Sequence, residues 1–322
     1  MTRRIGFYHK SDLDGQCSGA ILKSKFPDIE LYGIDYGEKF PWELVKRIDE
    51  VYVVDYCLQP TELWKEPDPF SEMEKLVDKL DDYRAELVWI DHHISAIKNE
   101  EKYKVGEFHH RIDGIRNIGE SACVLTWKYI YPDKKLPRFI DLLGKFDTWK
   151  NEDKEEWNNI IVPFEYGMLT YETDPAKDMA IWNIMIFMAN RITEGFSIGS
   201  ICAIGRNVLK YEVKQNAMHA KRNAYEVDFE GLKGIAINSD LHSSMVLDSV
   251  YSPAVHDIMI IYSQNKNLSW YVSFYSTKDN VDCSKIAAKY GGGGHRGAAG
   301  ANVWQGLHGE LPFTPLKKQG ED

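Results

Sequence analysis

The feature that most constrains the fold is a short apolar run that ends in one acid and two histidines. Residues Leu87 to Ile90 are apolar, and Asp91, His92 and His93 follow them directly. An apolar run of this length predicts a buried strand. Open α/β sheets bind ligands outside the carboxyl ends of their strands, and imidazole with carboxylate suits a divalent transition metal. The alternative is a solvated loop with a helix-capping aspartate, and the triplet alone does not decide between them.

The same arrangement recurs along the N-terminal half of the chain. Further strands are predicted at residues 4–8, 31–34 and 51–54, with helices near 17–24, 41–49 and 71–84 between them. Strands that alternate with helices predict βαβ units and a parallel sheet. The carboxyl ends of parallel strands meet at one edge of a sheet, so residues that follow different strands are expected to lie close together.

Acids and histidines occupy several of these strand ends. His9, Asp12 and Asp14 follow the first strand, and Asp55 follows the third. For Asp12 and Asp14, turn formation and helix capping are the alternative to a functional role. Asp147 ends a helix predicted over 136–146 and is a further candidate ligand, with a polar helix end as its alternative.

The C-terminal half has a different texture. Residues 176–225 are predicted to be helical, and Arg206, Lys210 and Lys214 share one face of that segment. This stripe is either a solvated face or a basic wall along a cleft. Short β-like runs after residue 227 predict a second, smaller α/β domain. We therefore expect domains at 1–190 and 226–322, joined by a helical linker at 191–225.

A glycine-rich stretch lies near the end of the second domain. Four glycines at 291–294 are followed by His295 and Arg296. Exposed backbone N–H groups of consecutive glycines can form an anion-binding nest, and the two side chains add charge-assisted donors for phosphate. A flexible linker is the alternative, but the adjacent His-Arg pair favours a ligand site.

Composition limits the class of partner. The net charge is −10, whereas proteins that bind long nucleic acids usually show a basic footprint, so any nucleic-acid ligand is expected to be short. Five widely spaced cysteines without a C-x-x-C pair predict reduced thiols in a cytoplasmic protein. No apolar run approaches the ~20 residues of a membrane helix. No protein partner is inferred, and a homodimer is left open.

In their order along the chain, these motifs resemble the DHH phosphoesterase superfamily, in its form with a C-terminal DHH-associated domain. The motifs are the D-x-D-G turn at Asp12 and Asp14, Asp55, the triplet Asp91-His92-His93, Asp147 in Phe-Asp-Thr-Trp, and the glycine-rich stretch. The resemblance implies an α/β fold: a parallel-sheet, Rossmann-like DHH domain, a helical linker and a smaller α/β domain with a mixed sheet.

The resemblance also implies a role for each motif. The metal ligands would be His9, Asp12 and Asp55 for one ion, and Asp14, Asp55, His92 and Asp147 for the other. Asp91 would orient its neighbours, and His93 would face the scissile phosphate. The substrate would be held by Gly292, Gly293, Gly294, His295 and Arg296. His9 and Asp12 are separated by two residues here, where many members of the superfamily have three.

The expected activity follows from this ligand set. Two divalent ions can activate a water and neutralise the phosphate oxygens, and mixed His and Asp ligands favour Mn²⁺, with Mg²⁺ possible. We expect a Mn²⁺-dependent phosphodiesterase that acts on short oligonucleotides or small nucleotides. The alternatives are a cyclic-dinucleotide phosphodiesterase, an adenosine 3′,5′-bisphosphate phosphatase and a silent nucleotide-binding homologue. The intact acidic set argues against the silent homologue.

Overall fold

The structure is a computed structural model, and it describes residues 2–36, 38–58, 71–94, 96–98, 112–189, 194–264, 269–305 and 314–315. Contacts within the chain divide it into two compact units, Met1–Val208 and Leu209–Asp322. The boundary falls within one long helix, Glu194–Asn223. The expected division into 1–190, 191–225 and 226–322 stays a prediction.

Unit 1 is built on a five-stranded sheet whose strands all run parallel. The strands are β1 (Arg4–His9), β2 (Glu30–Ile34), β3 (Glu50–Val54), β4 (Glu86–Ile90) and β5 (Ile112–Asp113). Their order across the sheet is β2-β1-β3-β4-β5. The sequence predicts the first four. It misses β5 because two residues are too few to show an alternating pattern.

Helices complete unit 1. They are α1 (Leu13–Lys25), α2 (Ser71–Tyr83), α3 (Ala122–Ile130), α4 (Arg138–Asp147), α5 (Lys154–Glu156), α6 (Val162–Met168), α7 (Ala180–Met188) and α8 (Glu194–Asn223). A π-helical turn, Trp157–Ile161, joins α5 to α6. The α8 helix continues past the boundary of the unit.

Two apolar cores lie on opposite faces of the sheet. Ile5 and Phe7 belong to the core that contains buried residues of α2, whereas Tyr8 belongs to the core that contains α1, α3 and α4. Successive side chains of a strand point to opposite faces, so a buried strand supplies both cores. This α/β arrangement with a parallel sheet confirms the predicted fold class.

The first strand and helix are in close contact. Asp12 is the N-cap of α1, and its side chain accepts a hydrogen bond from Gly15 N. A Cβ atom at Gly15 would lie 2.1 Å from His9 O. Only glycine therefore allows the turn after β1 to close this tightly, and the turn holds His9 and Asp12 near each other.

The helix predicted over 41–49 is wrong. Residues 42–47 form consecutive turns instead, and Arg47 has a φ of 58°. A left-handed residue cannot continue a right-handed helix. Val45 and Ile48 are nevertheless buried, so the segment still covers its face of the sheet.

Unit 2 contains a mixed seven-stranded sheet. The strands are β6 (Tyr225–Phe229), β7 (Leu232–Asn238), β8 (Ile258–Gln264), β9 (Ser269–Tyr275), β10 (Gly293–Gly294), β11 (Ala298–Gln305) and β12 (Thr314–Pro315). Their order is β10-β11-β9-β8-β7-β6-β12, and β7 and β8 form its parallel pair. Helix α9 (Cys283–Lys289) packs on β9 and β11. The predicted mixed α/β domain is confirmed.

Within the described ranges, no helix combines the length and the apolar character that a membrane crossing requires.

Candidate metal centre

The residues that end the strands of unit 1 meet at one edge of the sheet. The chain runs from β1 outward to β2 and then returns to the other side of β1 to form β3. This reversal leaves a crevice outside the carboxyl ends of β1 and β3, where open α/β sheets bind their ligands. His9 ends β1 and Asp55 follows β3 directly, so both lie at the crevice.

Asp55 lies between two groups of metal-binding side chains. Its Oδ1 atom is 3.3 Å from His92 Nε2, and its Oδ2 atom is 3.7 Å from His9 Nδ1. The residue is only 1% exposed. Its φ of 53° is left-handed, a conformation that aspartate tolerates better than most residues. One carboxylate oxygen therefore faces each group.

Among the residues that the structure describes, three sets of three side chains place their donor atoms within 4.8 Å of one another. The sets are His9 with Asp12 and Asp55, Asp14 with His92 and Asp147, and Asp55 with His92 and His93. Together they include all six residues that the sequence nominates as metal ligands. His9 is part of the cluster despite the shortened spacing of its motif.

Several of these side chains place buried polar atoms close together without satisfying them by hydrogen bonds. Among the described residues, His9 Nδ1, Asp55 Oδ1 and Asp147 Oδ2 are buried and make no well-aligned hydrogen bond. Burying such atoms unpaired is unfavourable and calls for an explanation. A divalent cation would accept these nitrogen and oxygen donors together. The residues present therefore fit a metal site.

Asp12 caps α1 and also faces the cluster. Its Oδ1 atom accepts a hydrogen bond of 2.9 Å from Gly15 N, which caps α1. Its Oδ2 atom lies 2.8 Å from His9 Nδ1. A carboxylate has lone pairs enough for both, so capping leaves the second oxygen available as a ligand.

Asp14 caps a different helix from the one that contains it. Its two oxygens accept hydrogen bonds of 2.8 Å from Ala122 N and Cys123 N, the first residues of α3. Ser121, at the N-cap position, makes no side-chain cap of its own. Asp14 Oδ2 also lies 3.7 Å from His92 Nε2. The anion is thus held at a helix N-terminus and faces the cluster.

The crowding of charges shifts the pKa of several groups. Burial and the neighbouring Asp55 raise the pKa of Asp14 to about 6. Burial and Asp14 raise the pKa of Asp147 well above its usual range. Burial opposes protonation of His92, but the bond with Asp55 and the charges of Asp147 and Asp14 together outweigh it and raise that pKa to about 11. These shifts favour extra protons in the cluster, and a bound cation would compete with those protons.

Asp91 fixes the conformation of the His-His pair. Its Oδ1 atom accepts hydrogen bonds from His92 N at 2.7 Å and from His93 N at 3.1 Å, and it lies 2.7 Å from His93 Nδ1. Asp91 is fully buried. With Nδ1 directed at Asp91, Nε2 is the ring atom of His93 that can face a ligand.

Comparison of the sequence with known proteins gives a distant relative but no family model. No family model matches the chain. An uncharacterized protein of Acanthamoeba polyphaga mimivirus is 27% identical over 209 residues, which cover 63% of this chain and 45% of that protein. The chain therefore spans less than half the length of this curated relative.

Solved structures give the fold. The DHH domain of a member of a ribosomal-protein family is 14% identical and aligns with a TM-score of 0.53, over 94% of this chain and 82% of that one. This chain has the DHH fold. The exonuclease RecJ bound to manganese is 12% identical and aligns at the lower TM-score of 0.48, over 94% of this chain and 86% of that one.

The sequence reasoning missed one acid at the edge of the DHH sheet. Asp35 follows β2 directly, and its Oδ1 atom lies 3.3 Å from His9 Nε2. It also accepts a hydrogen bond from Ser11 Oγ. A carboxylate on the far nitrogen of a metal-binding histidine fixes the ring and its tautomer. The sequence could have identified Asp35, because it directly follows a predicted strand, as several other site residues do.

Glu165, on α6, was also missed. The residue is buried, and its burial, followed by Asp12 and Asp14, raises its pKa well above its usual range. Nothing in the sequence around α6 marks it, because its environment is set by residues about 150 positions earlier in the chain. It extends the acidic environment of the centre to a third helix.

The glycine-rich stretch of the chain forms a hairpin in unit 2. Gly291, with a φ of 75°, ends α9, and Gly292 N donates to Ala287 O at 2.9 Å. A Cβ atom at Gly292 would lie 2.1 Å from Gly300 O, so this glycine is required for close packing. The amide of Gly292 is therefore already bonded within the protein, which limits the expected nest to the residues after it.

The tip of this hairpin is exposed. Gly293, Gly294, His295 and Arg296 are all solvent-accessible. His295 N donates to Ala298 O at 2.7 Å, and Arg296 donates to the backbone of Asp279. The structure thus brings the five nominated residues into one surface feature, and their role with substrate stays a prediction. Arg206, Lys210 and Lys214 of α8 are exposed, which leaves both readings of that stripe open.

Proposed function

We propose that this chain is a divalent-metal-dependent phosphoesterase whose centre lies at the edge of the unit 1 sheet. The observation that carries the proposal is the position of Asp55, with one buried oxygen toward His9 and the other toward His92. A carboxylate in that position can bridge two cations. Two-metal centres are typical of enzymes that cleave phosphoester bonds.

The arrangement of the donor atoms supports one assignment of the ligands. His9, Asp12 and Asp55 would hold one ion, whereas Asp14, His92 and Asp147, with Asp55, would hold the other. A mixed set of imidazole and carboxylate favours Mn²⁺, and Mg²⁺ prefers oxygen ligands alone. When bound, such a pair would lower the pKa of a water and neutralise charge on the phosphate oxygens.

The remaining side chains would position the substrate. Asp91 holds Nδ1 of His93, so Nε2 can approach a phosphate oxygen. Asp35 holds the far nitrogen of His9 and keeps the other nitrogen directed into the cluster. These outer contacts fix two rings before a substrate arrives, which is how such centres maintain their geometry.

We propose short oligonucleotides or small nucleotides as the substrate class. The net charge of −10 disfavours long strands. The exposed hairpin at Gly292 to Arg296 would bind a phosphate or base of the substrate, with Arg296 as a charge-assisted donor. A cyclic-dinucleotide phosphodiesterase and an adenosine 3′,5′-bisphosphate phosphatase use the same chemistry and differ only in the ligand that they accept.

A hydrolysis panel tests this proposal. Chelated protein is supplied with Mn²⁺ or Mg²⁺ and given dinucleotides, longer single strands, cyclic dinucleotides, adenosine bisphosphate and pyrophosphate. We expect metal-dependent cleavage with dinucleotides among the best substrates, and its loss in Asp55→Ala. Asp113→Asn is the matched control, because Asp113 also ends a strand but bonds Gly114 N and Tyr129. Full activity of Asp55→Ala, or no hydrolysis of any member by the wild type, would contradict the proposal.

A further inference from the structure

An exposed aromatic ring borders the metal centre. Tyr36 follows Asp35 at the end of β2, and its ring centroid lies 5.3 Å from that of His9 and 6.0 Å from that of His93. These two histidines belong to different metal-binding sets. Tyr36 is therefore beside the place where a phosphate would meet the metals.

The ring is supported from one side. Tyr56 is buried, and its ring centroid lies 5.0 Å from that of Tyr36 with an interplanar angle of 33°. Tyr36 itself is 38% exposed. Tyr56 thus holds Tyr36 in place and leaves part of its surface open to solvent. We call this pair, Tyr36 backed by Tyr56, the aromatic ledge.

A purely structural role explains the ledge poorly. The hydroxyl of Tyr36 makes no hydrogen bond with any described residue. A tyrosine with a structural role usually buries its ring or hydrogen-bonds its hydroxyl. Tyr32, four residues earlier, is equally exposed at 37%, but its ring contacts Phe7 instead of the histidines. Of these two tyrosines, Tyr36 is the one whose ring lies beside the candidate metal centre.

We propose that the aromatic ledge stacks against a nucleobase attached to the phosphate bound at the metal centre. The inference rests on the proposed phosphoesterase function and narrows its substrate class to ligands that carry a base next to the reacting phosphate. An aromatic face stacks on any of the bases, because each base has a π-face. The ledge would therefore select nucleotides over inorganic phosphates without selecting a sequence.

The expected effect follows from the strength of base stacking. Alanine substitution of a stacking aromatic costs about 1–3 kcal/mol per base, which corresponds to about a 5- to 150-fold change. We expect Tyr36→Ala to lower kcat/KM for a dinucleotide by that factor. Tyr36→Phe keeps the ring and should retain most of the activity. Tyr32→Ala is the matched control and should behave like the wild type.

The experiment compares a diadenosine dinucleotide with its analogue in which the base next to the reacting phosphate is absent. The Tyr36→Ala loss should appear with the dinucleotide and vanish with the abasic analogue. Equal losses on both ligands, or no loss on either, would overturn the ledge. A loss in Tyr36→Phe as large as in Tyr36→Ala would also overturn it, because the hydroxyl would then make the contact.

A second measurement tests base stacking on the aromatic ledge independently of enzymatic activity. A dinucleotide with 2-aminopurine as that base loses fluorescence when the base stacks, and the titration requires no turnover. We expect wild type and Tyr36→Phe to quench this probe and Tyr36→Ala not to. If the wild type hydrolyses nothing, the proposed function fails, and the quenching still decides the ledge. Equal quenching by Tyr36→Ala would overturn the ledge even in an active enzyme.

Discussion

The metal centre of unit 1 and the glycine-rich hairpin of unit 2 both have the residue types of ligand sites, but they differ in how much the fold satisfies them. At the centre, Asp55 and His92 are buried among several other charged groups, and several donor atoms make no well-aligned hydrogen bond. At the hairpin, the backbone is bonded internally and the side chains of His295 and Arg296 are exposed.

The difference shows what each region can contribute. Buried donors without good hydrogen bonds destabilise a fold unless a ligand completes them. Under the proposed function, that ligand would be metal ions held throughout catalysis. An exposed arginine loses little free energy when no ligand is present, which suits a group that binds and releases substrate. The centre should therefore control metal binding, and the hairpin should control only the affinity for substrate.

The largest expected effect that separates the two regions is at Arg296. A charge-assisted hydrogen bond contributes about 1.5–3 kcal/mol, so Arg296→Ala should lower kcat/KM on nucleotides about 10- to 150-fold. Mn²⁺ binding, measured by calorimetry, should not change. Lys285→Ala removes another exposed cation of unit 2 as a control. Loss of metal binding in Arg296→Ala would break the division of roles.

Gly293 offers a companion test at the same hairpin. A Cβ atom there would meet no atom within 4 Å, so Gly293→Val should fold normally. If the backbone at the tip approaches a phosphate, the added side chain should obstruct it and reproduce the arginine loss in kcat/KM. Wild-type kinetics in Gly293→Val would restrict the predicted contact to the side chains of His295 and Arg296.

A second, smaller effect is expected at Asp35. Outer carboxylates that hold a metal-binding histidine typically change metal affinity by about 10- to 100-fold, so Asp35→Asn should weaken Mn²⁺ binding within that range. Asp28→Asn is the control, because Asp28 precedes the first residue of β2 whereas Asp35 follows the last. Unchanged Mn²⁺ affinity in Asp35→Asn would show that His9 needs no support from Asp35.

The smallest effect concerns the stability of the metal-free protein. The usual pKa of a glutamate is 4.5, and burial with Asp12 and Asp14 raises that of Glu165 well above it. Stability from this group is complete below the unfolded-state pKa and is lost as the pH rises through the folded-state pKa. Glu165→Gln has no ionisable carboxyl, so it should avoid this loss of stability at neutral pH. Its Tm should rise by ~2–4 °C for each kcal/mol gained in the free energy of unfolding.

The pH dependence of Tm is the measurement for Glu165. Thermal unfolding in chelator should show a flatter fall of Tm above pH 4.5 in Glu165→Gln than in the wild type. Glu172→Gln, on an exposed carboxylate, should leave the profile unchanged. Parallel profiles of Glu165→Gln and wild type would mean that the buried carboxyl carries no charge penalty.

The sequence predicts which side chains meet at the edge of the sheet, because these residues are placed by their position along the strands. His9, Asp55 and His92 each lie within two residues of a strand end, and a parallel sheet brings such ends to one edge. The fold class is confirmed, and the role of these residues as metal ligands stays a prediction. The same reasoning applies equally to Asp35, which was overlooked although it obeys the same rule.

Other features depend on contacts that the sequence does not encode locally. Asp14 caps α3 across 108 residues of chain, and Glu165 is buried beside acids from the first helix turn. The closeness of Gly292 to Gly300 depends on the pairing of β10 with β11. The sequence shows where a glycine lies, but not which backbone segment packs against it. Tertiary packing decides each of these cases.

If Asp55 joins two metal ions in one centre, as we propose, Mn²⁺ stoichiometry with electron paramagnetic resonance tests this most directly. We predict two Mn²⁺ per wild-type chain with a spin-coupled signal, and loss of that coupling with weaker binding in Asp55→Asn. Asp113→Asn should match the wild type. A single Mn²⁺ per wild-type chain, or an unchanged coupled pair in Asp55→Asn, would contradict the claim.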